Sequence, residues 1–176
     1  MKKLSLKELN RASIPDFKAQ KKAPFMLVLD NIRSAHNVGA AFRTADAFAI
    51  EKIVLCGITA TPPHREILKA AIGASQSMDW VYEKENVVAI EKLKEAGYKI
   101  VGVEQISESI SLEKVSVEKE GKYALVFGNE VKGIDDRLLP LLDYSVEIPQ
   151  YGTKHSLNVS VCLGITLWEF FRKWKF

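Results

Sequence analysis

The sequence predicts an α/β fold in which a mostly parallel, six-stranded sheet carries helices on both faces. Six short, mainly apolar segments recur along the chain, and segments of helical composition lie between most of them. A strand that is apolar throughout is buried on both sides, as in a parallel sheet covered by helices. The 176 residues suffice for one domain with a single sizeable core.

Each strand is predicted from an apolar run bounded by polar or turn residues. The first run ends in Asp30, and the fifth leads directly into Gly128, so both strands end where a polar loop begins. In chain order, the predicted strands are residues 25–30, 53–56, 78–82, 98–103, 123–127 and 145–148.

Helices are predicted where small or periodic apolar residues follow a cap or a proline. A polar, charge-rich stretch at residues 107–120 is predicted to be a surface connection. Residues 1–22 are predicted to be a basic arm, with a short helix at 4–11 and then a linker, ahead of a domain at 23–176. The predicted helices of that domain are residues 38–48, 64–71, 86–96, 135–142 and 156–174.

Composition indicates a soluble, cytoplasmic protein. The apolar fraction is 47%, the charged fraction 27% and the net charge +3, a mild basic bias that permits an RNA partner without requiring one. Cys56 and Cys162 lie in apolar runs and are predicted to be reduced core residues. We expect no signal peptide, because the first residues lead into polar sequence rather than an apolar run. We expect no membrane span, because Glu169 and Arg172 interrupt the last helix.

Several common chemistries lack their motifs. No G-x-G-x-x-G follows the first strand, and Ile134 stands where a P-loop with Gly128 and Gly133 would need lysine. Metalloprotease, paired-cysteine and nucleophile-elbow patterns are absent from the sequence. The three histidines are scattered, so no metal site is predicted.

Three loops between a strand and a helix instead carry polar side chains. Glu130 follows a buried strand, at the sheet edge where open α/β sheets bind ligands. The set holds no strong nucleophile, which favours positioning a nucleotide and transferring a group from a bound donor over covalent hydrolysis. Its members are Asn37, Arg43, Glu130, Ser156 and Asn158.

Arg43 lies in an alanine-rich segment suited to burial, where a guanidinium would need an anionic or carbonyl partner. Glu130, Asp46 and a ligand phosphate are the candidates. A structural salt bridge to Asp46 on the same helix explains the local sequence equally well.

Three ordered motifs resemble those of the SpoU (TrmH-like) branch of the SPOUT RNA methyltransferases. The resemblance covers residues 25–172, and its one visible departure is Gln150, where the family often has methionine. The motifs are Asn37-x-Gly39-Ala40-x-x-Arg43-Thr44-Ala45, Phe127-Gly128-Asn129-Glu130-x-x-Gly133 and Ile148-Pro149-x-x-Gly152-x-x-x-Ser156-Leu157-Asn158-Val159-Ser160-Val161.

This resemblance implies S-adenosylmethionine-dependent methylation of a ribose 2′-hydroxyl in tRNA or rRNA by a homodimer with a deep C-terminal trefoil knot. It implies no DNA or membrane partner. A catalytically silent RNA-binding or ribosome-assembly factor is the alternative. The resemblance assigns catalysis to the neighbourhood of the five polar residues above, and cofactor binding to Val103, Glu104, Gly128, Asn129, Ile148, Ser156 and Leu157.

Two expectations concern particular residues. An arginine, with a side-chain pKa above about 12, is a poor general base, so Arg43 is predicted to clamp the phosphate beside the target ribose.

The last helix is apolar most of the way round, which predicts that it packs against a second subunit as well as the sheet. The predicted contact face is Leu157, Val161, Ile165, Trp168 and Phe171.

Overall fold

A computed structural model describes residues 1–5 and 7–176. It contains one seven-stranded sheet, with the strands β1 (Ala23–Asp30), β2 (Ile50–Cys56), β3 (Trp80–Glu83), β4 (Lys99–Val103), β5 (Ile110–Ser111), β6 (Tyr123–Phe127) and β7 (Tyr144–Glu147). Their order in the sheet is β3-β2-β1-β6-β4-β7-β5, and the strand pairs are parallel.

The prediction of six strands was wrong. The additional strand, β5, lies in the predicted surface connection and pairs with β7 at the edge of the sheet. It has only two residues, one of them the half-exposed Ile110, so it lacks the apolar run that identifies a buried strand.

Helices cover both faces of the sheet, as predicted. Along β1, Phe25, Leu27 and Leu29 belong to the core beneath the helices at 35–47 and 159–175, whereas Val28 belongs to the core beneath the helix at 86–95. This alternation follows from the two-residue period of a strand. The helices are α1 (Ile14–Ala19), α2 (Ala35–Ala47), α3 (Arg65–Ala71), α4 (Ala74–Ser77), α5 (Asn86–Glu95) and α6 (Val159–Lys175).

Two helix predictions need correction. Residues 7–10 form a turn and Leu6 lies outside the described residues, whereas α1 forms within the predicted linker, capped by Ser13 and burying Phe17. Residues 135–142 contain only a short 3-10 turn, Leu139–Leu141. Pro140 has no N–H to donate to the preceding turn, which disfavours an α-helix there.

The carboxyl ends of four neighbouring strands define the functional edge. β1, β6, β4 and β7 are adjacent and parallel, so the loops that follow them leave from the same side of the sheet.

Among the described residues, no helix combines the length and apolar character needed to cross a membrane.

Candidate functional site

The loop after β6 is a tight turn that presents Glu130. Asn129 and Gly133 exchange backbone hydrogen bonds of 2.9 Å in both directions, and Gly133 has a φ of +73°. A Cβ on Gly128 would lie 2.1 Å from the Gly133 carbonyl carbon, so this position requires glycine. The turn therefore depends on the glycines at both of its ends.

The Glu130 carboxylate accepts three hydrogen bonds from the start of α2. The backbone N–H groups of Arg33 and Ser34 donate at 2.8 and 3.1 Å, and the Asn37 side-chain amide donates at 3.0 Å. Partial burial raises the pKa of Glu130, but these hydrogen bonds lower it by more, so it lies below its usual value. Glu130 is therefore ionised at neutral pH and fixes the orientation of Asn37.

Asn158 connects this arrangement to α6. Its side-chain oxygen caps α6 by accepting from the Ser160 N–H at 2.9 Å and the Ser160 hydroxyl at 2.6 Å. Its amide nitrogen lies 3.4 Å from the Asn37 side-chain oxygen, a long hydrogen bond. Glu130, Asn37 and Asn158 thus form a polar network joining the N-termini of α2 and α6.

A cavity of about 300 Å³ adjoins the network between the loops after β4, β6 and β7. All seven residues predicted to bind the cofactor line it, as do Glu130 and Asn158. The predicted residues in its wall are Val103, Glu104, Gly128, Asn129, Ile148, Ser156 and Leu157.

The cavity also contains residues that sequence reasoning missed. Gln105 directly follows the predicted pair Val103 and Glu104, and its amide donates to the His155 carbonyl at 3.0 Å, joining two of the loops. Cys162 is one helical turn after Asn158, a spacing that places both on one face. Burial raises the pKa of Cys162 to about 11, so it is a neutral thiol at neutral pH rather than a nucleophile.

An open cleft of about 620 Å³ lies on the other side of the network. Asn37, Glu130 and Asn158 line it together with Arg33, Ser34 and His36. Because Glu130 and Asn158 border both hollows, a group held in the cavity could approach a second molecule held in the cleft.

Arg43 stands apart from this group, and the prediction that it is buried was wrong. Ala41, Phe42 and Ala45 occupy the buried face of α2, which leaves Arg43 exposed. The alternative, a salt bridge to Asp46, is also wrong, because no ion pair within 4.0 Å joins the two side chains; the Asp46 carboxylate instead accepts from the Ser77 hydroxyl at 2.5 Å.

The chain is similar to known proteins over most of its length. A model of the SpoU rRNA Methylase family matches residues 24–168. The 23S rRNA (guanosine-2′-O-)-methyltransferase RlmB of Vibrio parahaemolyticus is 32% identical over 168 residues, which are 95% of this chain and 66% of that protein. The chain spans 64–66% of the length of such curated relatives.

Two solved structures share the fold. The A. aeolicus TrmH/SpoU tRNA modifying enzyme has a TM-score of 0.80 and 25% identity, covering 91% of this chain and 81% of that one. An AdoMet-bound rRNA methyltransferase from Sinorhizobium meliloti has a TM-score of 0.79 and 26% identity, covering 92% and 60%.

Glu130→Gln is expected to lower the free energy of unfolding at pH 7 by about 1 kcal/mol, less than a buried charge would contribute because solvent screens the partly exposed carboxylate. A carboxyl group with a lowered folded pKa stabilises the protein above its unfolded pKa of about 4.3 and loses this effect as the pH falls through the folded value. Urea unfolding of both proteins should therefore show a difference at pH 7 that shrinks toward pH 3.

Glu120→Gln is the matched control, because Glu120 is an exposed glutamate away from the cleft. It should leave stability unchanged at both pH values. A loss in Glu130→Gln that is equally large at pH 7 and pH 3 would contradict the role assigned to the carboxylate charge.

Proposed function

The chain belongs to the SpoU rRNA methylase family, and from that premise we propose that it methylates a ribose 2′-hydroxyl of rRNA or tRNA with S-adenosylmethionine as donor. One observation carries the proposal. The seven residues that the family resemblance assigns to the cofactor line a single cavity, and that cavity borders the Glu130–Asn37–Asn158 network. Donor and acceptor would then meet at the two residues that the cavity and the cleft share, Glu130 and Asn158.

The residues of the cavity fit S-adenosylmethionine. Its volume of about 300 Å³ is at the lower end of the range for small-molecule sites. Val103, Ile148 and Leu157 offer apolar surface to an adenine ring, while the Glu104 carboxylate can accept hydrogen bonds from ribose hydroxyls. The bound donor would supply a methyl group made electrophilic by a positively charged sulfur.

We assign orientation of the target ribose to the polar network. Asn37 and Asn158 border the cleft, and their amides can accept from or donate to a ribose hydroxyl. Glu130 acts through Asn37, since three donors already occupy its carboxylate. Ser156 is exposed at the wall of the cavity, where its hydroxyl can contact donor or ribose. This division of labour supports catalysis by positioning.

Arg43 is proposed to clamp an RNA phosphate. Its exposure on α2 is compatible with this role, because a phosphate group of a large substrate can reach a surface guanidinium. Arg43 lies outside the walls of the cavity and the cleft. It can therefore contribute only if bound RNA or a second subunit places an anionic group beside its guanidinium.

A second copy of the chain is the proposed partner of α6. One side of this helix, together with the residue two positions before it, carries apolar side chains with exposed fractions of 37–49%. They are Leu157, Val161, Ile165 and Trp168. Phe171, also predicted on this face, is instead half-buried against Phe48 of α2, with ring centroids 5.2 Å apart. A row of exposed apolar side chains on one helix supports a subunit interface.

The trefoil knot and the domain division are likewise proposals. A knot in the C-terminal third is supported by the sheet order, which inserts β6 between β1 and β4, and by the contact of Gln105 with the His155 loop. We assign catalysis to residues 23–176 and an accessory role in RNA binding to the lysine-rich residues 1–22.

Calorimetric titration with S-adenosylmethionine measures donor binding, and a methyl-transfer assay measures activity. Both are applied to the unmodified chain and to variants of Arg43. Arg43→Ala should keep the affinity for the donor, because Arg43 lies outside the cavity, whereas methyl transfer should fall by about 100-fold or more. Arg43→Lys should be nearly as inactive at every pH, since an ammonium group cannot copy the planar fork of a guanidinium.

Two results would count against this assignment. Substantial activity of Arg43→Lys, with a pH profile displaced to lower pH, would indicate a general base. Failure of the unmodified chain to bind S-adenosylmethionine would favour the silent RNA-binding factor.

Light scattering at micromolar concentration should give the mass of a dimer. Ile165→Glu places a charge on the exposed side of α6 and should shift the mass toward that of a monomer. Leu68→Glu is the control, because Leu68 is about as exposed (45% against 40%) but lies on α3. A monomeric mass for the unmodified chain would exclude the proposed interface.

A further inference from the structure

Asn129 lines the cavity, yet its polar groups are engaged within the protein. Its side-chain oxygen accepts from the backbone N–H groups of Val131 and Lys132 at 2.9 and 3.1 Å. Its side-chain nitrogen donates to the Asn31 carbonyl at 2.7 Å, and its backbone N–H and carbonyl both pair with Gly133. Three of the four hydrogen-bonding positions of the side-chain amide are therefore occupied before any ligand binds.

The side-chain hydrogen bonds of Asn129 differ in reach. Those from Val131 and Lys132 stay within the turn after β6, and asparagine and aspartate both stabilise turns in this way. The bond to Asn31 instead crosses to the loop after β1, 98 residues earlier in the chain. An amide can accept on one side and donate on the other, whereas an ionised carboxylate can only accept. The crossing bond is thus a contact that the turn alone does not need.

The loop after β1 is anchored on its other side at Asn31. This residue has a φ of +56°, a left-handed conformation that asparagine tolerates. Its side chain accepts from the Ile58 N–H at 3.2 Å and donates to the Asp30 carboxylate at 2.8 Å. The next N–H, that of Ile32, donates to the buried Thr59 hydroxyl at 2.9 Å. These contacts fix the loop to the end of β1 and to the loop after β2.

The turn after β6 and the loop after β1 meet through two successive residues of the turn. Asn129 donates to the Asn31 carbonyl, and Glu130 accepts from two backbone N–H groups of the same loop. A single contact would let the two segments rotate about it, whereas two neighbouring contacts fix both their distance and their orientation. Because Glu130 also holds the Asn37 amide, a shift of the turn against the loop would displace Asn37.

We propose that Asn129 is a positioning residue for methyl transfer. Its side chain fixes the turn after β6 against the loop after β1, and so holds Glu130 and Asn37 in place at the target ribose. Asn129 acts through these two residues and not by binding the donor, which differs from the cofactor-binding role that the family resemblance gives it. The inference rests on the proposed function, since the group that it positions is the one assigned to the ribose.

Three substitutions of Asn129 separate the crossing bond from the turn. Asn129→Asp and Asn129→Ser both keep an oxygen acceptor for the turn, but the carboxylate cannot donate to the Asn31 carbonyl and the hydroxyl is one bond shorter. Both should lower kcat by about 10-fold, as much as Asn129→Ala, because the groups at the ribose lose their alignment. Affinity for S-adenosylmethionine, measured by calorimetry, should stay unchanged. The substrate for kcat is total RNA from cells lacking the gene.

Two kinetic outcomes would overturn the proposal. Unchanged kcat in Asn129→Asp and Asn129→Ser, with a loss only in Asn129→Ala, would mean that the side chain serves the turn alone. Weaker binding of S-adenosylmethionine by Asn129→Ser would make Asn129 a donor contact. Gln76→Glu is the control for the change from amide to carboxylate, because Gln76 is exposed on α4, and it should keep both kcat and affinity.

Hydrogen exchange followed by NMR tests the positioning role without methyl transfer. The Arg33 and Ser34 N–H groups, which donate to Glu130, should exchange several-fold faster in Asn129→Ser, whereas that of Ile32 should be unchanged because Thr59 holds it. Unchanged exchange at Arg33 and Ser34 would overturn the proposal even if kcat falls.

The failure of this proposal is distinguishable from that of the proposed function. If the unmodified chain methylates no RNA, the proposed function fails, and the exchange rates alone show whether Asn129 fixes the turn against the loop. Urea unfolding checks that each variant is folded. Failure of all three variants to fold would make Asn129 a requirement for folding and overturn its assignment to positioning.

Discussion

The interaction on which the site depends is the hydrogen bonding of the Glu130 carboxylate. Arg33, Ser34 and Asn37 all donate to it, although they are more than 90 residues earlier in the chain. A negative charge at a helix N-terminus is stabilised by the helix dipole and by unpaired N–H groups. The same contacts hold Asn37 beside Asn158, so one carboxylate sets the geometry between two helices and the cavity.

Strands were predicted best where the apolar pattern of the sequence matches the burial of the strand in the sheet. The run Tyr123–Phe127 is apolar at every position and forms a strand with those bounds, because a central parallel strand needs apolar residues on both faces. The residues assigned to the cofactor, at the ends of β4, β6 and β7, then meet at one edge, since parallel neighbours end on the same side. Their meeting in one cavity follows from topology, while their roles in binding and catalysis remain predictions.

The sequence could not reveal features that depend on three-dimensional context. Strand β5 exists only because β7 lies beside it, and two residues carry no periodic signal. Arg43 has alanine-rich neighbours in the sequence, yet its position on α2 turns it outward. Gln105 became identifiable only when its contact with the loop at His155 was visible. Each of these features is set by packing between distant segments.

The central claim is that this arrangement of side chains methylates ribose in RNA. The most direct measurement compares ribose-methylated nucleosides in RNA from cells with and without the gene, with the gene restored in one arm as wild type and in another as Arg43→Ala. The account predicts that one 2′-O-methylated nucleoside at one position is lost with the gene, returns with the wild type and does not return with Arg43→Ala. Identical nucleoside profiles in all arms would contradict it.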